Sequence, residues 1–185
     1  MQTCHWPTVP PREVVARYRQ SVSLDPGPSR AHVIFPLVQD DDGWPPVGSE
    51  RVWAVPLGDD RYCIDNAPWF VRDLAVGDIV RAIPEGPRSN PVFRDMLRPS
   101  EHVTIRLVCF RDGALEGDLA RALEPFTKLG VYGEGVKQYR MLALDIEPTA
   151  PMEHVVALLR GGAAEGWWEY EEGRITPAWI AASQG

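Results

Sequence analysis

An α+β fold is what this chain predicts, and three observations carry the prediction. Residues Ser100–Phe110, S-E-H-V-T-I-R-L-V-C-F, alternate along their whole length. Val103, Ile105, Leu107 and Cys109 fall on one side and His102, Thr104 and Arg106 on the other, the signature of a half-buried strand. The part before it is rich in turns: the chain holds 18 prolines and 16 glycines in 185 residues, which favours short strands over long helices. Beyond Arg98-Pro99 the apolar period lengthens twice to that of a helix.

Taken in order, residues 1–30 form an N-terminal tail with a short helix, P-R-E-V-V-A-R-Y-R-Q-S, opened by Pro11 and broken by L-D-P-G-P-S-R. H-V-I-F-P-L-V-Q is a first strand whose Pro36 suggests an edge or a bulge. D-D-D-G-W-P-P-V-G is a loop. E-R-V-W-A-V-P-L and R-Y-C-I-D-N flank G-D-D as a hairpin. V-G-D-I-V-R-A-I-P and V-F-R-D-M-L-R complete five short strands, so residues 31–99 read as a small, strongly bent sheet or barrel-like domain.

The strand at 102–110 precedes a helix over 115–130, with Leu115, Leu119, Ala122, Leu123, Phe126 and Leu129 on one stripe, Pro125 as a kink and Gly130 as the stop. V-Y-G-E-G is a short extended piece and Q-Y-R-M-L-A-L-D-I-E a longer strand. A second helix starts at Pro151, faces inward with Met152, Val155, Val156 and Leu159, and ends at Gly161-Gly162. W-W-E-Y-E-E-G-R-I is the last strand. The order strand, helix, strand, strand, helix, strand over 100–175 predicts a ferredoxin-like (βαββαβ) domain with Ser100–Phe110 in mid-sheet. Residues 176–185 are a C-terminal tail.

Composition narrows the function classes. A formal charge of -7 leaves no positive excess for phosphate backbones, so nucleic acid is not an expected partner. No apolar run approaches a membrane span, and the N-terminus lacks the pattern of a secretory signal. Cys4, Cys63 and Cys109 are odd in number and form no C-x-x-C pair, which fits reduced thiols in a cytoplasmic protein, with Cys63 and Cys109 as small core residues.

The stripe of His102, Thr104 and Arg106, with Ser100 two residues earlier, is the sharpest candidate site. A histidine beside a fixed cation suits binding of a carboxylate or phosphate, or acid–base work. The competing reading is a polar seam between domains, with Arg106 paired to a glutamate. In W-W-E-Y-E-E-G, Trp168 and Tyr170 share a face that either packs beneath the helices or lines a pocket. Ser100, Thr104, Trp168 and Tyr170 are the expected ligand contacts, and His102 and Arg106 the residues of any catalysis. The aspartate runs at 40–42 and 59–60 sit in turns, no His/Cys set has zinc spacing, and neither a metal nor a cofactor is expected.

F-P-L-V-Q-D-D-D-G-W-P-P-V, L-G-D-D-R-Y-C-I-D-N-A-P-W-F-V-R, V-G-D-I-V-R-A, S-E-H-V-T-I-R and A-E-G-W-W-E-Y-E-E-G, in that order from Val33 to Gly173, resemble the bacterial family called domain of unknown function 4265. The resemblance implies no activity and no catalytic residue. The leading expectation is a non-catalytic binding protein, monomer or homodimer, that recognises a partner protein or small ligand. An acidic surface with exposed Trp44, Trp53 and Trp69 suits a cationic protein partner, as in toxin-neutralising proteins. The alternative is a small enzyme of specialised metabolism using His102 as acid/base and Arg106 as anion anchor. A third reading is a ligand-sensing module with its ligand at a seam.

Overall fold

The computed structural model describes residues 30–185. The helix expected within 1–30 and Cys4 lie outside the described residues. Five strands, β1 (Ala31–Pro36), β2 (Ser49–Gly58), β3 (Arg61–Ile64), β4 (Ile79–Pro84) and β5 (Pro91–Arg98), follow one another around a closed barrel. β1 and β5 close it in parallel through Ile34 and Val92. Alternation decides what faces inward: Val33 and Phe35 from β1, Val52 and Ala54 from β2, Val80 and Ala82 from β4 fill the barrel. The β2–β3 hairpin turns on Asp59 and Asp60, both left-handed, at φ 53 and 57. That is the conformation a two-residue turn needs to match strand twist, here met by aspartates instead of glycine.

The second half forms a sheet with the order β7-β8-β6-β9, built from β6 (Val103–Cys109), β7 (Tyr132–Val136), β8 (Met141–Ile146) and β9 (Trp168–Arg174). All of its pairings are antiparallel. β6 lies mid-sheet between β8 and β9, as the order of elements predicts. Helices α1 (Leu119–Thr127) and α2 (Met152–Ala164) cover the face carrying Val103, Ile105 and Leu107.

Several boundaries differ from the sequence reading, each for a physical reason. The first helix starts at Asp118, whose carboxylate accepts from the Ala120 and Arg121 amides; Leu115 and Leu129 flank it. The strand expected from Gln138 begins at Met141, because Lys137–Tyr139 form a single 3-10 turn and Arg140 is left-handed, at φ 50. The second helix does not stop at Gly161-Gly162. Gly162 is there because the Trp168 indole lies on it: a Cβ would sit 2.0 Å from Cζ2. The stop comes at Gly166, left-handed at φ 68. Residues 176–185 are not a free tail. Thr176 caps a helix α3 (Pro177–Ser183), and Trp179 enters the core with its indole N–H on the Glu172 carboxylate, 2.9 Å away.

Candidate functional site

The barrel rests on the sheet face opposite the helices, and sheet register shows how much of that face it covers. Side chains facing the barrel fall in three rows across the strands. Thr104 aligns with Asp145 and Arg174; Arg106 with Ala143 and Glu171; Val108 with Met141 and Glu169. The barrel's connection between β3 and β4 lies on the first two rows and is tied to them by hydrogen bonds.

The Thr104 hydroxyl donates to the Leu74 carbonyl at 3.0 Å. The Arg106 guanidinium, 4% exposed, donates to the carbonyls of Val71 at 3.1 Å and Trp69 at 3.4 Å and reaches Glu171 at 3.2 Å. Burial pushes the Arg106 pKa down, while the charges of Glu171 and Glu50 act to keep it ionised. Gly173 makes room for it, since a Cβ there would stand 2.9 Å from the guanidinium. Glu50 completes the clamp. Its parity along β2 turns it inward with Val52 and Ala54, and its buried carboxylate accepts from the amides of Trp69, Phe70 and Val71 at 2.7, 2.9 and 3.0 Å. Carbonyls and amides of one short segment are thus held from opposite sides by a cation and an anion.

Ser100 and His102 belong to the end of the seam. The Ser100 hydroxyl donates to the Val76 carbonyl at 2.7 Å, and the Ser100 amide to buried Asp78 at 2.6 Å. His102 Nδ1 lies 2.7 Å from an Asp145 carboxylate oxygen. Burial opposes the charged ring, but the hydrogen bond and charge of Asp145, helped by Glu147 and Asp78, raise the His102 pKa overall.

His102 and Arg106 share a face without sharing a site. Four residues apart on an extended chain, they are separated by roughly 13 Å and engage different partners. Of the stripe, only Arg106 lines the cleft between barrel and sheet. Trp168, expected as a ligand contact, is in the helical core instead, its indole N–H donating to the Leu159 carbonyl at 3.1 Å. Tyr170 packs partly on that core and reaches the cleft rim. Cys109 is buried, and burial pushes its thiol up to about 11, which makes it a core residue and a poor nucleophile.

The cleft, about 520 Å³, opens over the third row, where Val108 and Glu169 are exposed and Met141 is buried. Its floor is Val108, Met141 and Glu169, and Val108 is 36% exposed while the rest of β6 is buried. Its wall is aromatic. Trp44, 45% exposed, meets Phe70 edge-on at 5.6 Å and Tyr139 at 6.3 Å, and Phe70 meets Tyr139 at 5.7 Å. The loop carrying Trp44 is internally tied: an Asp40 carboxylate oxygen accepts from the Asp42 and Trp44 amides, and Gln39 donates to the Pro45 carbonyl. Sequence reasoning singled out Arg106, Trp44, Trp69, Tyr170 and, in an acidic cluster, Glu169, and missed Val108, Met141 and Phe70. The available signal was Val108 itself, an apolar residue on the polar side of an alternating strand. Trp53, also half-exposed, lies tilted against His32, ring centres 3.6 Å apart, on the barrel wall and takes no part in the cleft.

No helix among the described residues is long and apolar enough to cross a membrane. No curated protein matches the chain. A crystal structure of a hypothetical protein from Neisseria gonorrhoeae is similar in fold, with a TM-score of 0.60 and 18% identity over 80% of this chain and 94% of that one. The model of the family described as Domain of unknown function (DUF4265) matches residues 50–170, which run from the barrel's second strand, through the clamp and the cleft floor, to Tyr170; the chain belongs to that family.

Proposed function

We propose that the protein is a non-catalytic binding protein of the cytoplasm that seats a partner protein segment or a small ligand in the cleft between barrel and sheet. The observation that carries this reading is the recess over the third row, lined by Trp44, Phe70 and Val108, beside two rows that the barrel covers. Such a recess buries apolar area on binding and orients its guest with few polar groups. The enzyme reading has less support, because the acid–base candidate His102 and the anion anchor Arg106 engage separate partners. In the same proposal the chain divides near residues 99–100, and its second part is a ferredoxin-like domain. Numbering that part's strands in chain order gives 4-1-3-2 across the sheet, with a helix in each crossover, which supports the assignment.

Native mass spectrometry of the tagged protein drawn from lysate tests the site, with Trp44→Ala/Phe70→Ala in parallel. Trp44 is half-exposed and Phe70 sits at the cleft, so the double variant keeps both cores. The expected result is a bound mass on the wild type that the variant has lost. A bound mass that survives the double change, or none on either protein, overturns the reading.

A further inference from the structure

Resting on that reading, we infer that the cleft recognises the guanidinium of an arginine side chain on an exposed segment of a partner protein. Both arginines at the cleft lie against one carboxylate: Arg106 reaches Glu171 at 3.2 Å and Arg72 approaches the same oxygen at 3.4 Å. One Asp40 oxygen is taken up by the amides of its own loop. Glu169 is different. It is exposed, lines the floor, and its carboxylate has neither a hydrogen bond nor an ion pair among the described residues. With Asp40, Glu169 and Glu171 set against Arg72 and Arg106, the lining carries one more carboxylate than cation, so the recess is net negative, and the half-exposed ring of Trp44 lines the same recess.

A carboxylate and an indole face lining one recess suit a planar cation. The guanidinium stacks on the ring while its N–H groups reach the carboxylate, which an ammonium does with less contact. The chain's formal charge of -7 adds long-range attraction for a basic partner. Pre-ordering of the Trp44 loop by Asp40 and Gln39 means little freedom is lost on binding.

The probe is a blocked glycine pentapeptide carrying two arginines, set against the same peptide with citrulline, the neutral isostere, and with glutamate. Titration into the full chain with nitrogen-15-labelled tryptophan reads the Trp44 indole signal, assigned by its loss in Trp44→Leu. The arginine peptide is expected to shift that signal saturably, with affinity falling about fivefold in Glu169→Gln, the scale of one exposed cation contact. Citrulline and glutamate peptides are expected to leave the signal in place. Equal binding of citrulline, preference for glutamate, no shift with any peptide, or indifference to Glu169→Gln overturns the inference. The broader reading fails by a different result, a bound mass that ignores Trp44 and Phe70, so the two failures are told apart.

Discussion

His102 shows what one residue contributes at the seam. Its side chain is 19% exposed and bonded to Asp145, whose side chain is 15% exposed, and its pKa is raised above the ordinary 6.5. A group that binds its proton more tightly when folded stabilises the fold fully below the unfolded pKa and loses that contribution as pH rises through the folded one. Urea midpoints measured across this range are therefore expected to fall as pH climbs above about 6.5, the ordinary histidine value. His102→Gln is expected to flatten that slope; an unchanged slope would assign the effect to other groups. Half of this residue's role was legible. Alternation placed His102 on the stripe, but its partner comes from a strand 43 residues away, and no local pattern encodes that pairing.

At the scale of elements, α2 and β9 explain each other. Gly161 and Gly162 look alike in sequence, yet nothing lies within 4 Å of a Cβ at Gly161, while at Gly162 the Trp168 ring occupies the space. Gly161→Ala is expected to stabilise by roughly 0.5–1 kcal/mol through helix propensity. Gly162→Ala is expected to destabilise by about 2–3 kcal/mol by overpacking. Thermal or chemical denaturation of the two single variants checks the opposite signs. Reading the pair as a helix stop was an error of the same origin: glycine marks both chain ends and close approaches, and only the tertiary partner distinguishes them. The C-terminal helix was missed despite a local signal. Thr176-Pro177 is a cap followed by proline at the first helical position, but a seven-residue helix gives too few turns for periodicity to register.

For the molecule as a whole, the connection between β3 and β4 makes barrel and sheet one structure. Val71 and Leu74 fill the barrel, while the same segment's backbone is gripped by Arg106 and Thr104 from the sheet. Neither half can open there without exposing the other. Far-UV circular dichroism and tryptophan fluorescence are accordingly expected to report one coincident unfolding transition. Arg106→Lys, which keeps the charge but not the fork that spans two carbonyls, is expected to lower stability by about 2 kcal/mol. Two separate transitions in the unaltered protein would refute the coupling. The architecture at this scale was well represented in the sequence, from five short strands to the central position of β6. The cleft was not, because it arises where the barrel ends over the sheet, and that overhang depends on docking rather than on any stretch of chain.

The closed barrel also bears on how the protein behaves when concentrated. Strands joined in a ring have no free edge strand, so among the described strands the sheet edges are those of β7 and β9. β9 carries Glu169, Glu171 and Glu172, and its like charges repel an approaching copy. β7 has Tyr132, Gly133, Glu134, Gly135 and Val136, one charge in five residues, and its glycines cannot take side chains without striking leucines of α1 and β8. The tight packing of α1 on β7 therefore keeps that strand from acquiring more gatekeeping charge. Unwanted self-association has its natural starting point at Tyr132–Val136.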